Sequence, residues 1–192
     1  MPFADLPDVR LHYQLDGDAS LPVLVLSNSL GTSFEMWQPQ VAELTKHFRL
    51  LRYDTRGHGQ SAVTEGPYSI AQLGGDVIAL LDHLGLQRVH FCGLSMGGIT
   101  GMWLALNHAS RLEKLILCNT AAYIGPPENW ANRAAAVERD GVASIAAAVV
   151  DKWLTPDFAA QQPELVQHLR AMLGATDARG YAANCRAVRD SD

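Results

Sequence analysis

Several features that mark whole classes of protein are missing from this sequence. No basic patch stands out: 15 Lys and Arg against 20 Asp and Glu leave a net charge of -5 over 192 residues. Without a positive footprint, neither nucleic acid nor an anionic membrane surface is an expected partner. No run of 18 or more apolar residues occurs, and the N-terminus, MPFADLPDVR, has no basic start followed by an apolar stretch. Neither a membrane span nor a secretory signal is therefore expected. C-x-x-C pairs and H-E-x-x-H are absent, so no metal is expected. The three cysteines, Cys92, Cys118 and Cys185, are odd in number and widely spaced, and two lie in apolar strand-like runs. They read as buried thiols of a reducing compartment, and the expected setting is a soluble cytoplasmic protein.

What is present is the material of a folded core. An apolar share of 48% against 18% charged residues is far from the polar composition of disordered chains. The length suits one globular domain with a small insert.

The hydrophobic patterning alternates between two periods. Val9, Leu11, Tyr13 and Leu15 alternate with polar residues before Asp16-Gly17, the period-2 signature of a strand with one buried face. Pro22 to Ser27 is apolar without alternation, as expected of a central parallel strand covered on both faces. Similar runs recur at Phe48 to Tyr53, Arg88 to Cys92 and Lys114 to Cys118. Between them lie helical patterns. Ser69 and Gln72 form a capping box before the stripe Ile70, Leu73, Val77, Leu80, Leu81 and Leu84, which Gly85 ends, and Trp37, Val41 and Leu44 mark a shorter helix. The alternation predicts the α/β class, a mostly parallel sheet with helices on both faces. From residue 122 the chain turns alanine-rich and is punctuated by Pro126-Pro127, Gly141, Pro156, Pro163 and Gly174. The expected organisation is a core over 1–121 and a helical cap over 122–192.

The chemistry centres on Gly93-Leu-Ser95-Met-Gly97, a G-x-S-x-G with a buried strand before it and a helix after it. A serine hydroxyl is a weak nucleophile that must project toward both a base and a carbonyl carbon. A tight strand-to-helix turn projects Ser95 at the cost of a strained backbone, and the crowding demands glycine at 93 and 97. The helix N-terminus behind Ser95 points free N–H groups at a developing oxyanion. A second donor must come from another loop; Ser27 to Thr32 follows a central strand, and the Leu30 N–H is the candidate.

Asp54-Thr-Arg-Gly-His-Gly-Gln-Ser61 forms a third cluster. It reads as a tight structural loop, with Asp54 and Arg56 expected to tie it together by charge-assisted hydrogen bonds and His58 not expected to be the base. Gly57, Gly59 and Ala62 fit a loose dinucleotide fingerprint, but no helical pattern opens there.

These stretches resemble the α/β-hydrolases, and among them the 3-oxoadipate enol-lactonases, through Leu26 to Thr32, Trp37, Tyr53 to Ser61 and Gly93 to Gly98. Many α/β-hydrolases have His-Gly where this chain has Asn28-Ser29, a variation the enol-lactonases share. The resemblance implies Ser95 as nucleophile, Leu30 and Met96 as oxyanion donors, and an acyl-enzyme on the way to 3-oxoadipate in aromatic catabolism. No cofactor is implied. The substrate would be a small lactone or ester carrying a carboxylate, for which Arg133, flanked by Trp130, is the cationic candidate. A cofactor-free haloperoxidase-like esterase and a non-catalytic ligand-binding module are the alternatives.

The family places its acid and histidine on later strands, in the order Ser, Asp or Glu, His. Only His108 and His168 follow Ser95, the first at the end of the nucleophile's own helix and the second in an ordinary helical pattern. The chain therefore reads as the N-terminal part of such an enzyme, without the C-terminal strands. It is expected to be a poor catalyst alone, and an apolar edge around Lys114 to Cys118 would favour self-association.

Overall fold

The computed structural model describes residues 2–191 and builds them around a six-stranded sheet of order β1-β2-β4-β3-β5-β6. The strands are β1 (Phe3–Asp5), β2 (Arg10–Asp16), β3 (Val23–Ser27), β4 (Arg49–Tyr53), β5 (Val89–Leu94) and β6 (Leu112–Cys118). β1 and β2 are antiparallel to their neighbours, and β4, β3, β5 and β6 run parallel. The unalternated Val23 to Ser27 is the centre of the parallel block, flanked by β4 and β5, where both faces must be apolar.

Three helices cover that block. α2 (Ile70–His83) and α3 (Met96–Asn107) pack Val77, Leu80, Leu81 and Leu104 against Val25, Leu51 and Phe91. α1 (Gln38–Leu44) lies on the other face, where Trp37, Val41 and Leu44 meet Leu24, Leu26 and Leu50. The N-cap half of the predicted capping box is formed, with the Ser69 side chain accepting from the Gln72 N–H; the Gln72 side chain makes no return bond among the described residues.

Residues 127–189 form five further helices, α4 (Pro127–Asp140), α5 (Ala143–Val150), α6 (Pro156–Gln161), α7 (Pro163–Gly174) and α8 (Ala178–Arg189). Proline opens three of them, since its missing N–H costs nothing in the first turn. α8 begins at Asp177, whose carboxylate accepts from the Arg179 and Gly180 N–H groups. This helix lies against the core loops: a Cβ on Gly180 would stand 2.3 Å from the Gly57 carbonyl oxygen, and the Asn184 side chain donates to the Arg56 carbonyl at 2.9 Å. Leu30, Met96 and Ile99 of the core share one apolar cluster with Ala134, Val137, Leu173 and Tyr181 of the helical region.

The Asp54 to Ser61 loop is buried over most of its length, but not through the ion pair expected within it. Arg56 reaches across to Asp76 of α2, with Nε 2.8 Å from Oδ2. Asp54 instead accepts from His12 Nδ1 at 2.7 Å and from the Phe34 and Gln60 N–H groups. Two residues apart at a strand end, the two side chains leave the backbone toward different neighbours.

At the end of the sheet, β6 leaves Ile116 and Leu117 exposed, at 47% and 44%. Cys92 and Cys185 are buried; Cys118 is half-buried, its Sγ 3.8 Å from that of Cys92. No helix among the described residues is long and apolar enough to cross a membrane.

Candidate active site

Ser95 sits between β5 and α3 with φ 54° and ψ -114°, a backbone conformation that costs a non-glycine residue about 1–3 kcal/mol and persists only where the surroundings dictate it. The surroundings here are close. A Cβ on Gly93 would lie 2.1 Å from the Gly97 carbonyl oxygen, and one on Gly97 would lie 2.4 Å from that of Ser27. Neither backbone contact can yield, so both positions demand glycine. The Ser95 N–H donates to the Cys118 carbonyl at 2.9 Å, and its own carbonyl accepts from Thr120 Oγ1 at 2.8 Å. The hydroxyl has no hydrogen-bond partner among the described residues and makes no cap to α3.

Two main-chain donors are left over at this corner. Ser95 to Ile99 opens α3, and the N–H groups of Gly97, Gly98 and Ile99 are used by Asn28 and Ser95. The Met96 N–H has no acceptor among the described residues. On the neighbouring loop the Thr32 N–H closes a turn onto the Ser29 carbonyl at 3.3 Å, and the Gly31 N–H goes to His58 Nε2 at 2.8 Å. The Leu30 N–H is again without an acceptor among the described residues, although the residue is only 5% exposed. Unpaired buried N–H groups are rare in folded proteins; here one belongs to the residue after Ser95 and the other to the loop after β3.

Asn28 holds the two loops together. Its carbonyl accepts from the Gly97 N–H at 3.1 Å, its side-chain N–H donates to the Tyr53 carbonyl at 2.8 Å, and its side-chain oxygen accepts from the Trp37 indole at 2.9 Å. His58 is fully buried, and burial pushes its imidazole down to about 4, so it is neutral at pH 7 and engaged with Gly31.

Ser95 opens onto a cavity of about 450 Å³. Its lining is mostly apolar, including Met36, Trp153 and Leu169, with Asn119 beside the serine and Lys152 the one charged side chain. Such a composition suits a small, mostly apolar ligand held by a few polar groups. Lys152 has no salt-bridge partner among the described residues and was not singled out from the sequence, where it reads as one more surface lysine.

The other sequence candidates lie elsewhere. Arg133 and Trp130 are not on this lining: the guanidinium carbon stands 4.8 Å from the Trp130 ring centre, the indole donates to the Ile124 carbonyl, and α4 turns Arg133 toward Tyr181 and Cys185 of α8. His108 ends α3 at the far side from Ser95, its ring 5.3 Å from that of Trp103. His168 lines a separate cavity of about 290 Å³ with His12 and Asp54. No imidazole or carboxylate lines the Ser95 cavity among the described residues, and none of their groupings of three or more His, Cys, Asp and Glu is placed to hold a metal ion.

The family model for the alpha/beta hydrolase fold matches residues 22–186. The chain is 46% identical over 185 residues to 3-oxoadipate enol-lactonase 2 of Acinetobacter baylyi, covering 96% of this chain and 69% of that protein. It superposes on the crystal structure of the enol-lactonase from Burkholderia xenovorans LB400 with a TM-score of 0.97 at 50% identity, over 100% of this chain and 74% of that one. A thermophilic esterase from Thermogutta terrifontis gives a TM-score of 0.92 at 29% identity, over 100% and 73%.

Proposed function

The chain belongs to the α/β-hydrolase fold family and is a carboxylic-ester hydrolase, and from that premise we propose that it acts on 3-oxoadipate enol-lactone with Ser95 as nucleophile. The observation that carries this reading is the elbow itself: a serine in a strained backbone conformation whose hydroxyl, like the N–H groups of Met96 and Leu30, has no partner among the described residues. The 46% identity to an enol-lactonase supports the choice of substrate.

In this reading Ser95 Oγ adds to the lactone carbonyl, and the Leu30 and Met96 N–H groups receive the oxyanion. Each such donor is worth roughly 10²–10³ in rate. Collapse breaks the ring C–O bond, leaving the acid part as an ester of Ser95 and the leaving oxygen as an enol, which tautomerises to the 3-oxo group. Water then cleaves the ester and releases the linear acid. The serine proton needs a base, and none lines the cavity among the described residues. These 192 residues by themselves are therefore expected to retain only the roughly 10³–10⁴-fold acceleration that binding and an oxyanion hole supply.

A 3-oxoadipate lactone keeps one free carboxylate, and Lys152 is the cation at the cavity mouth that we assign to it, in preference to Arg133. The test is a lactone-hydrolysis assay with Ser95→Ala. Loss of 3-oxo acid release with lactone binding retained supports the reading. Turnover unchanged by the substitution sinks it, and binding without any turnover in the unsubstituted protein would favour a ligand-binding module on the same scaffold.

A further inference from the structure

We propose that His58 is a positioning residue for the oxyanion hole, gripping the Gly31 N–H so that the adjacent Leu30 N–H is the one presented to substrate. The inference rests on the reading of Leu30 as a donor and assigns a task to a histidine that neither touches the cavity nor can act as the base.

The turn Ser29 to Thr32 presents two successive amide N–H groups, Leu30 and Gly31, and an oxyanion arriving at Ser95 could in principle draw on either. The structure divides them. Gly31 N–H lies 2.8 Å from His58 Nε2, while Leu30 N–H has no acceptor among the described residues. A hydrogen bond accepted at Nε2 puts the imidazole proton on Nδ1, which faces the Arg56 carbonyl at 3.4 Å. Burial keeps the ring neutral, so the accepting lone pair is present at neutral pH.

The backbone that carries the imidazole is itself fixed. The His58 main-chain N–H donates to the Thr55 carbonyl and the His58 carbonyl accepts from the Ser61 N–H, at 2.9 and 3.0 Å. On the other side of the loop the helical region closes in: a Cβ on Gly31, whose φ is +83°, would lie 2.2 Å from Leu173 Cδ1 and 2.8 Å from the Tyr181 ring. The loop is thus held between a hydrogen bond from the core and van der Waals contact from α7 and α8. The hydrogen bond to His58 fixes the plane of the Leu30–Gly31 peptide; the Ser29–Leu30 peptide, which carries the Leu30 N–H, adjoins that plane at the Leu30 Cα and is held on its other side by Thr32, whose N–H and Oγ1 donate to the Ser29 carbonyl at 3.3 and 2.8 Å. Catalysis depends on donors already aimed at the oxyanion, so loosening that plane should be felt in the transition state more than in the bound ground state.

The experiment uses the product of the whole gene. His58→Leu removes the acceptor; His58→Gln supplies a side-chain oxygen able to accept from Gly31. The expected result is a fall in kcat of about tenfold to a hundredfold for His58→Leu, a fraction of what loss of a whole donor costs, with KM within about twofold. His58→Gln should recover most of kcat. Affinity for a boronic acid that adds to Ser95 as a tetrahedral adduct should fall in step with kcat. In the unsubstituted protein, NMR should detect coupling through the hydrogen bond between the Gly31 and His58 Nε2 nitrogens. Absence of that coupling overturns the proposal, as does a folded His58→Leu with normal kcat, or equal losses in both variants spread over kcat and KM. Should His58→Leu not fold, the coupling and the glutamine variant decide. Turnover that survives Ser95→Ala would instead remove the underlying reading of the site, whatever His58 does.

Discussion

The Gly97 N–H donates to the carbonyl of Asn28 at 3.1 Å, so the first turn of the helix behind Ser95 and the loop carrying Leu30 are fastened to each other directly. The Leu30 and Met96 N–H groups, the donors proposed above, are thereby set at a fixed separation, one in the loop after β3 and one at the start of α3. Small-molecule esters need that spacing held before they arrive, because a donor that must move into place gives back part of its advantage.

The first expectation concerns strain. At φ 54° and ψ -114°, glycine is relaxed where serine and alanine are not. Ser95→Gly should unfold at higher urea than Ser95→Ala by about 1 kcal/mol, while both are inactive. Equal midpoints would show that the elbow stores no strain.

Lys152 should act on substrate choice rather than on chemistry. Replacement by Met is expected to raise KM about tenfold for a carboxylated lactone, and to leave an uncharged phenyl ester nearly unaffected. Arg133→Met serves as the comparison, and a larger KM effect there would return the carboxylate to Arg133.

Acid should destabilise the fold through His58. Its folded value of about 4 lies below the ordinary 6.5 because burial outweighs the upward pull of the Arg56 carbonyl and Asp54. The unfolded chain therefore binds the proton more readily, so stability is complete above 6.5 and is lost as pH falls from there through 4. One ring contributes at most about 3 kcal/mol over that window. Urea titrations between pH 7 and 4 should show a shallower slope for His58→Gln; identical slopes would mean the ring is not buried neutral.

The edge strand predicts behaviour in solution. β6 closes the sheet with Ile116 and Leu117 about half exposed, and an apolar edge is a template for pairing. We expect concentration-dependent association of these 192 residues by light scattering, reduced by Ile116→Lys with Leu117→Lys. A monodisperse monomer at high concentration would contradict this.

Much of this architecture is readable in the sequence because local signals carry it. The unalternated Val23 to Ser27 could only be a central strand, and Pro127, Pro156 and Pro163 each open a helix as proline does. β1, three residues long, gives no periodicity to detect, and it exists because β2 offers an edge. The partner of Arg56 could not be read either: Asp76 lies 20 residues on, in a different element, and the pair forms only once α2 has packed. The elbow was legible because its glycines and serine obey a local steric rule. Lys152 was not, since its relevance comes from the turn after α5 sharing a cavity with the distant Ser29, Ser95 and Asn119.

One property of Ser95 bears on substitution rather than on catalysis. Its main chain is tied to Cys118 and Thr120 and its neighbours are frozen by backbone contacts, yet its side chain contributes no bond to the scaffold. The position is a socket: the fold fixes where a side chain stands, at a cost in backbone strain, without using its hydroxyl among the described residues. A change of reactive group at 95 therefore touches no hydrogen bond of the scaffold among the described residues, while any side chain at Gly93 or Gly97 would collide with backbone.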